Sequence, residues 1–413
     1  MNFNTKLLHG RAVKTYTDGA TLPPVSQVNA FRFESARQQE AVFRHRAMGF
    51  AYTRVGNPTV VAFEQRINEL EGGAGAIACS SGMAALTLAL LGLLQAGDEI
   101  IAGSSLYGGS IGLLDDLKHF GIKTRFVRHM EPEEIEPLIN EKTRLIFGEV
   151  IGNPGLDVMD IQKAAQTAHA HGLPLIADST TATPRLVRPL SLGADIVIHS
   201  SSKYINGGGN AISGVIIDGG SFSWDFDRFP ALSAFSRYGP MAYQVRLRTD
   251  LGENLGGCLA PANAFMNIVG METLGIRMER ICENAARLAG TLSQLPGIYD
   301  VNYPGLKTSP YKELLDRQMG GLGGGILTFR AGSKEKAYQI MDNLRYAVIA
   351  SNIGDVRTLV IHPHSTLFIN NTQEQRENAG VYEDTVRISC GLEDADDLIE
   401  DFTQAIEKSR RVI

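Results

Sequence analysis

From about Ala62 onward one pattern repeats: a short apolar run closed by a polar residue, then a stretch of helical length. Residues 145–150 (LIFGEV) read as one buried strand and 173–177 (LPLIA) as the next. Between them, 160–171 reads as a helix with Asp160 as its N-cap and Gly172 at its end. Residues 194–199 (ADIVIH) are a further strand. Repeated strand–helix–strand units of this kind demand a mostly parallel sheet with helices on both faces, because parallel strands need a crossover connection. The expected class is α/β, and ligands of such sheets sit at the carboxyl ends of the strands.

Three polar features fall at such ends. Asp178 closes LPLIAD; Ser200, Ser202 and Lys203 follow ADIVIH in the run HSSSKY; Ser81, Gly82 and Met83 open the helix after AIACS. One edge of one sheet can therefore hold all three. A helix N-terminus at Gly82 and Met83 presents unpaired N–H groups and a positive dipole end to a phosphate. The hydroxyls of Ser200 and Ser202 can add donors, and a desolvated lysine beside them is suited to a Schiff base with an aldehyde. An aspartate one strand away can pair with a protonated pyridine nitrogen. Each piece also has a plainer reading: Asp178 as an N-cap, and the serine run as a solvated loop. Gly73–Gly75 resembles part of a dinucleotide fingerprint, but the third glycine and the acidic residue that should follow are missing.

At 413 residues the chain is longer than one hydrophobic core supports, so two domains are expected. Residues 1–61 show no sustained period and read as an extended arm reaching a neighbouring subunit; 62–256 would be the large domain. Residues 261–295 carry helical spacing, with Arg277, Arg280 and Glu283 on a polar face, and read as a long connecting helix. It leads into a C-terminal domain, within 257–413, with strands near 325–329 and 386–389 and helices at 334–344 and 395–409. The run 84–94 (AALTLALLGLL) is too short to span a bilayer and reads as a core helix. The N-terminus has no apolar export segment, which places the chain in the cytoplasm, with no membrane partner. A net charge of −6 argues against nucleic acid. Cys79, Cys258, Cys282 and Cys390 are scattered without a CxxC pair and read as reduced thiols. His362 and His364 flank Pro363 with no acidic ligands nearby, so no metal site is expected.

The segment ADSTTATPRLVRPLSLGADIVIHSSSKYINGGG closely resembles the cofactor segment of the Cys/Met-metabolism pyridoxal-phosphate (PLP) enzymes, and the resemblance runs from about Thr5 to Ile406. It implies PLP fold type I, aspartate-aminotransferase-like: a mostly parallel large domain and a smaller α/β C-terminal domain. It implies that Lys203 carries the cofactor, that Asp178 pairs with the ring nitrogen, and that Ser81, Gly82, Met83, Ser200 and Ser202 surround the phosphate. In YTRVGNPT, Tyr52 and Arg54 match residues that complete the phosphate site of a neighbouring subunit. Tyr107, in SLYGG, matches the aromatic residue that stacks on the ring and assists proton transfer, although position alone would equally fit a core tyrosine. Arg387, in VRISCGLE, matches the arginine that grips the substrate carboxylate; Asn153 and Ser351 match residues lining that carboxylate and the cofactor. An arginine inside an apolar strand needs an anionic partner on physical grounds alone, and a structural Asp or Glu would also serve.

Within the family, YTRVGNPT, SNIGD–TLVIHP, VNYPGL and GGILTF look most like the O-acetylhomoserine sulfhydrylase branch. That implies a transferase of methionine biosynthesis: γ-replacement on an O-acylated homoserine by sulfide or a thiol, giving homocysteine or methionine. Lys203, Tyr107 and Asp178 would be the catalytic residues. A homo-oligomer, a dimer of dimers, is implied as well. The chain departs from that branch at Leu367 and Phe368, where a histidine is usual, and in a shortened stretch 219–238; both are expected to border the site mouth. The competing readings are γ-elimination or replacement of the methionine γ-lyase or cystathionine γ-synthase type, a dinucleotide oxidoreductase, and a non-catalytic PLP-binding protein.

Overall fold

The first sixty residues are less extended than their composition implies. A computed structural model describes residues 1–13, 19–44 and 46–411, and the rest of the arm (14–18 and His45) and the last two residues lie outside it. Two short helices stand in the arm, α1 (Phe3–His9) and α2 (Ala36–Phe43). α1 packs on its own subunit: Leu7 is buried, and Glu69 accepts N–H bonds from Arg11 (2.9 Å) and Ala12 (2.7 Å). Seven residues carry too little apolar pattern to reveal such a helix from sequence; docking supplies its stability. The next helix, α3 (Pro58–Glu71), is signalled locally, with Asn57 as N-cap and proline in its first turn.

The apolar runs become strands close to their expected bounds. The large sheet comprises β1 (Gly75–Cys79), β2 (Glu99–Gly103), β3 (Lys123–Val127), β4 (Thr143–Glu149), β5 (Leu175–Asp178), β6 (Ile196–His199) and β7 (Gly214–Asp218), in the order β1-β7-β6-β5-β4-β2-β3. β2 to β6 run parallel to one another, and β7 runs antiparallel to both β6 and β1. The segment 200–213 holds no crossover helix, so the chain leaving β6 can only turn back beside it. Ile146, Phe147, Ile176, Val197 and Ile198 are fully buried; each such side chain contributes about 1.5–3 kcal/mol by leaving water. The run 84–94 lies mostly in α4 (Gly82–Leu91), whose N-cap Ser81 accepts the Ala84 N–H at 3.0 Å. α5 (Gly108–Asp116) follows β2. α6 (Ile161–Ala170) starts at Asp160, whose carboxylate accepts the Lys163 N–H, and Gly172 leaves it at φ +65°. No described helix is long and apolar enough to cross a membrane, and all four cysteines are free.

The expected connecting helix over 261–295 is two helices, α7 (Pro261–Met271) and α8 (Leu274–Leu292). Arg277 explains the break. Instead of lying on a polar face, it is buried, and it donates to the carbonyls of Tyr204 (2.7 Å), Gly270 (2.7 Å) and Ile205 (3.2 Å). The break frees Gly270 O for this arginine. It also lets α7 press on the turn after Lys203: a Cβ at Gly270 would lie 2.1 Å from Asn206 O. A guanidinium that satisfies backbone carbonyls in this way reads, in one dimension, as a surface charge.

The second sheet joins β8 (Tyr299–Asn302), β9 (Ile326–Arg330), β10 (Val348–Ile349), β11 (Leu359–Ile361) and β12 (Thr385–Ser389) in the order β10-β11-β12-β9-β8. α9 (Lys334–Asp342) and α10 (Ala395–Arg411) cover it. β12 is the central strand, and this puts Arg387 between Ile361 and Thr328 in the middle of the sheet.

Candidate active site

The strands that meet the site end at or just before polar residues. β1 runs into Ser81, β4 ends at Glu149, β5 at Asp178, and β6 runs into the lysine turn. Ser81, Gly82, Met83, Tyr107, Asn153, Asp178, Ser200, Ser202, Lys203, Ser351 and Arg387 all line one cavity of about 230 Å³. Tyr52 and Arg54 do not. Arg54 lies over the Tyr52 ring, at 5.8 Å from its centre, and hydrogen-bonds to Glu253 O beside a different cavity.

Lys203 is drawn into the protein, and burial, helped by the charge of Arg387, pulls its ammonium down to about 8. Its Nζ donates to Asn352 Oδ1 at 2.6 Å. The turn that bears it is rigid. Ser201 and Ser202 are buried, Lys203 N–H donates to Ser200 O at 3.1 Å, and Gly354 packs on it where a Cβ would fall 2.5 Å from Tyr204 N. This is not a solvated serine loop. The two serines are unlike: Ser202 Oγ donates to Ser213 O (2.9 Å) and accepts its N–H (2.8 Å), whereas Ser200 keeps its hydroxyl on the cavity wall.

Asp178 does make the local bond that the plainer reading required, accepting the Thr180 N–H at 2.9 Å, yet it still faces the cavity. Its neighbour in the β4–β5 register is Glu149. Burial pushes both carboxyl groups up. Glu149 goes furthest, through burial and then the Asp178 charge beside it; Thr180 and His199 hold Asp178 lower. Both carboxyl groups therefore hold a proton more readily than exposed ones do. Arg387 is fully enclosed. It donates to Asn153 Oδ1 and Asn352 O, each at 3.0 Å, while its Nε has no partner. Among the described residues no carboxylate pairs with it, so the structural Asp or Glu that the sequence allowed is not there.

These features fit an aldehyde cofactor with a phosphate and a basic ring nitrogen. At the start of α4 the absence of a side chain is required: a Cβ on Gly82 would lie 2.5 Å from Ser200 Cβ and fill the space between helix and serine. The phosphate would meet the first N–H groups of α4 and Ser200. Lys203 would hold the aldehyde carbon, and Asp178 would be the anion for the ring nitrogen.

Three contributors escaped the sequence reading. Glu149 closes its strand just as Asp178 does, and that position was its available signal. Asn352 follows the recognised Ser351. Thr180 Oγ accepts the Ser200 N–H at 2.8 Å and so joins the Asp178 turn to the lysine turn; nothing local marks it. Of the two departures expected at the mouth, Leu367 lines the cavity but Phe368 is buried in the core. Residues 219–238 stay away from it. Trp224 stacks edge-on to Phe229 at 5.2 Å and donates to Pro240 O, which folds that stretch into its own aromatic cluster.

Comparison with known proteins agrees with this geometry. The chain is 39% identical to the O-acetyl-L-homoserine sulfhydrylase of Corynebacterium glutamicum, over 97% of this chain and 95% of that one. It is 38% identical to the homocysteine/cysteine synthase of Saccharomyces cerevisiae, over 93% and 92%. The crystal structure of a putative O-acetylhomoserine (thiol)-lyase from Campylobacter jejuni, which carries a pyridoxyl-lysine phosphate, superposes with a TM-score of 0.93 at 36% identity, over 98% of this chain and 100% of that one. The model of the Cys/Met metabolism PLP-dependent enzymes matches residues 4–407. The chain belongs to that family, and pyridoxal phosphate is its cofactor.

Proposed function

We propose that this enzyme catalyses γ-replacement on an O-acyl-L-homoserine, with O-acetyl-L-homoserine as substrate and sulfide or a small thiol as nucleophile, giving homocysteine or methionine. The observation that carries the reading is Arg387: a buried guanidinium with no carboxylate, beside a lysine amine and an aspartate in one cavity, is a receptor for an amino acid. The names of the relatives support the acyl-homoserine.

Pyridoxal phosphate, when bound, supplies the electron sink that makes the Cα and then the Cβ proton of the substrate acidic. Lys203 moves those protons at its Nζ, which reaches the cavity and gives up its own proton more readily than an ordinary lysine. Arg387 holds the α-carboxylate, with Asn153 fixing the guanidinium plane. Asp178 holds the proton on the ring nitrogen. Tyr107 covers the ring and is the second group able to pass a proton near Cγ. Acetate leaves from Cγ and the nucleophile adds there. Ser351 lines the carboxylate end, and Ser81, Gly82, Met83, Ser200 and Ser202 form the phosphate end.

Tyr52 and Arg54 stand outside their own chain's cavity, and we assign them to the cofactor of a neighbouring subunit, within a dimer of dimers. Residues 1–61 form the arm, 62–256 the cofactor domain and 257–413 the connecting helices and C-terminal domain. The four free cysteines fit a cytoplasmic setting.

The test is a panel of acylated homoserines and serines against sulfide and methanethiol, read by product. Homocysteine from O-acetylhomoserine and sulfide is expected. Equal rates of 2-oxobutyrate formation with and without sulfide would instead make this a γ-lyase.

A further inference from the structure

Glu149 has no place in the roles above, yet it is the most connected carboxyl group of the site. Its Oε1 accepts the N–H of Tyr107 at 2.7 Å and its Oε2 the N–H of Asn153 at 3.1 Å. Both line the cavity: Tyr107 is the N-cap of α5, and Asn153 accepts from Arg387. The loops that carry them leave β2 and β4, and among the described residues no other side chain joins these two backbone positions. Behind Glu149 lies a second cavity of about 100 Å³, lined also by Ser105, whose buried hydroxyl has no partner.

We propose that Glu149 is a positioning residue: one carboxyl group ties the backbone of Tyr107 to the backbone of Asn153, the residue that holds Arg387. A buried carboxyl group that accepts two backbone donors fixes both at little entropic cost. The charged and titratable groups around it are Asp178 on the neighbouring strand, Tyr107, Lys203 and Arg387 around the front cavity, and Arg128, His129, Glu131, Asp157, Asp160 and Tyr311 around the rear one.

The proposal rests on the amino-acid substrate assigned above, but its test needs no γ-chemistry. Glu149→Gln has the size and charge of a neutral carboxyl group, yet its amide nitrogen must oppose one of the two N–H donors. Three quantities are read on the holoenzyme and its variant: the spectral change on titration with glycine, the pH titration of the lysine–cofactor absorbance, and the melting temperature of the apoprotein. Half-saturation by glycine should rise about tenfold, the equivalent of one backbone donor left unpaired. The pH midpoint should stay put, because the variant leaves Asp178, the partner assigned to the ring nitrogen, unchanged. Unchanged glycine binding in a folded variant would overturn the positioning role, and a displaced midpoint would put the charge on Glu149. Should Gln destabilise the apoprotein, Glu149→Asp, which keeps the carboxyl group but reaches only one loop, must show the same weakened glycine binding; wild-type binding there refutes the proposal. Failure of the γ-replacement reading would show in the wild-type product panel and leave these measurements intact.

Discussion

Replacing Arg387 by methionine separates function from stability. The guanidinium is fully enclosed in the central strand of the second sheet, makes two neutral hydrogen bonds, leaves Nε unpaired, and has no carboxylate. Methionine keeps the length of the stem. On the functional side, the substrate loses a bidentate, charge-assisted partner in a dry site. Removing one partner of a buried pair costs about 3–5 kcal/mol, which is on the order of 10²–10⁴ in kcat/KM. On the stability side the sign reverses. In the apoprotein Arg387→Met removes a charge that was dehydrated without a counter-ion, and the only loss is one acceptor each at Asn153 and Asn352. Such a group is unfavourable to bury. The apoprotein should therefore melt no lower than wild type, although a buried residue of an inner strand has been changed. Steady-state kinetics with O-acetylhomoserine and thermal unfolding of cofactor-free protein read the two arms. A fall in kcat/KM of less than about tenfold would remove Arg387 from carboxylate binding. A markedly lower melting temperature would mean that the arginine does structural work.

Lys203 sets a second expectation. A depressed ammonium is neutral above its folded value, so at pH 7 about one amine in ten is free, against about one in three thousand for an ordinary lysine. The rate of reconstitution of apoenzyme with pyridoxal phosphate should climb to about pH 8 and then level off; a continued climb toward pH 10 would refute the desolvated amine. The subunit assignment predicts complementation: Arg54→Ala and Lys203→Ala, each inactive alone, should regain activity when unfolded and refolded together. No recovery in a mixture shown to contain hybrid oligomers would return Arg54 to its own chain.

The sheet, the strand ends and the lysine turn were legible because each leaves a local mark. A parallel strand is apolar throughout, and its last residue changes abruptly in character, as at Asp178. Family resemblance added Arg387 and Asn153, and the structure brings them within hydrogen-bond reach across 234 positions of sequence. What stayed illegible was side-chain direction. Arg277 has the spacing of a surface residue, and only the tertiary fold shows that it turns inward to carbonyls. Glu149 was hidden for a related reason: within LIFGE it looks like a strand's polar terminus, and its two acceptor bonds come from loops remote in sequence. α1 was missed because its stability is supplied by α3 and α8, not by its own seven residues.

The Arg277 clamp also bears on the order in which the enzyme can be made. Its guanidinium closes on Tyr204 O, 73 positions earlier in the chain, and Arg387 reaches its partners later still. A ribosome releases the lysine turn long before either arginine. During that interval the turn lacks the contacts that desolvate Lys203 and hold it against the 351–355 loop. Capture of the cofactor is thus a closing event of synthesis, reserved for a nearly finished polypeptide, and a prematurely terminated chain carries the reactive lysine without the means to use it.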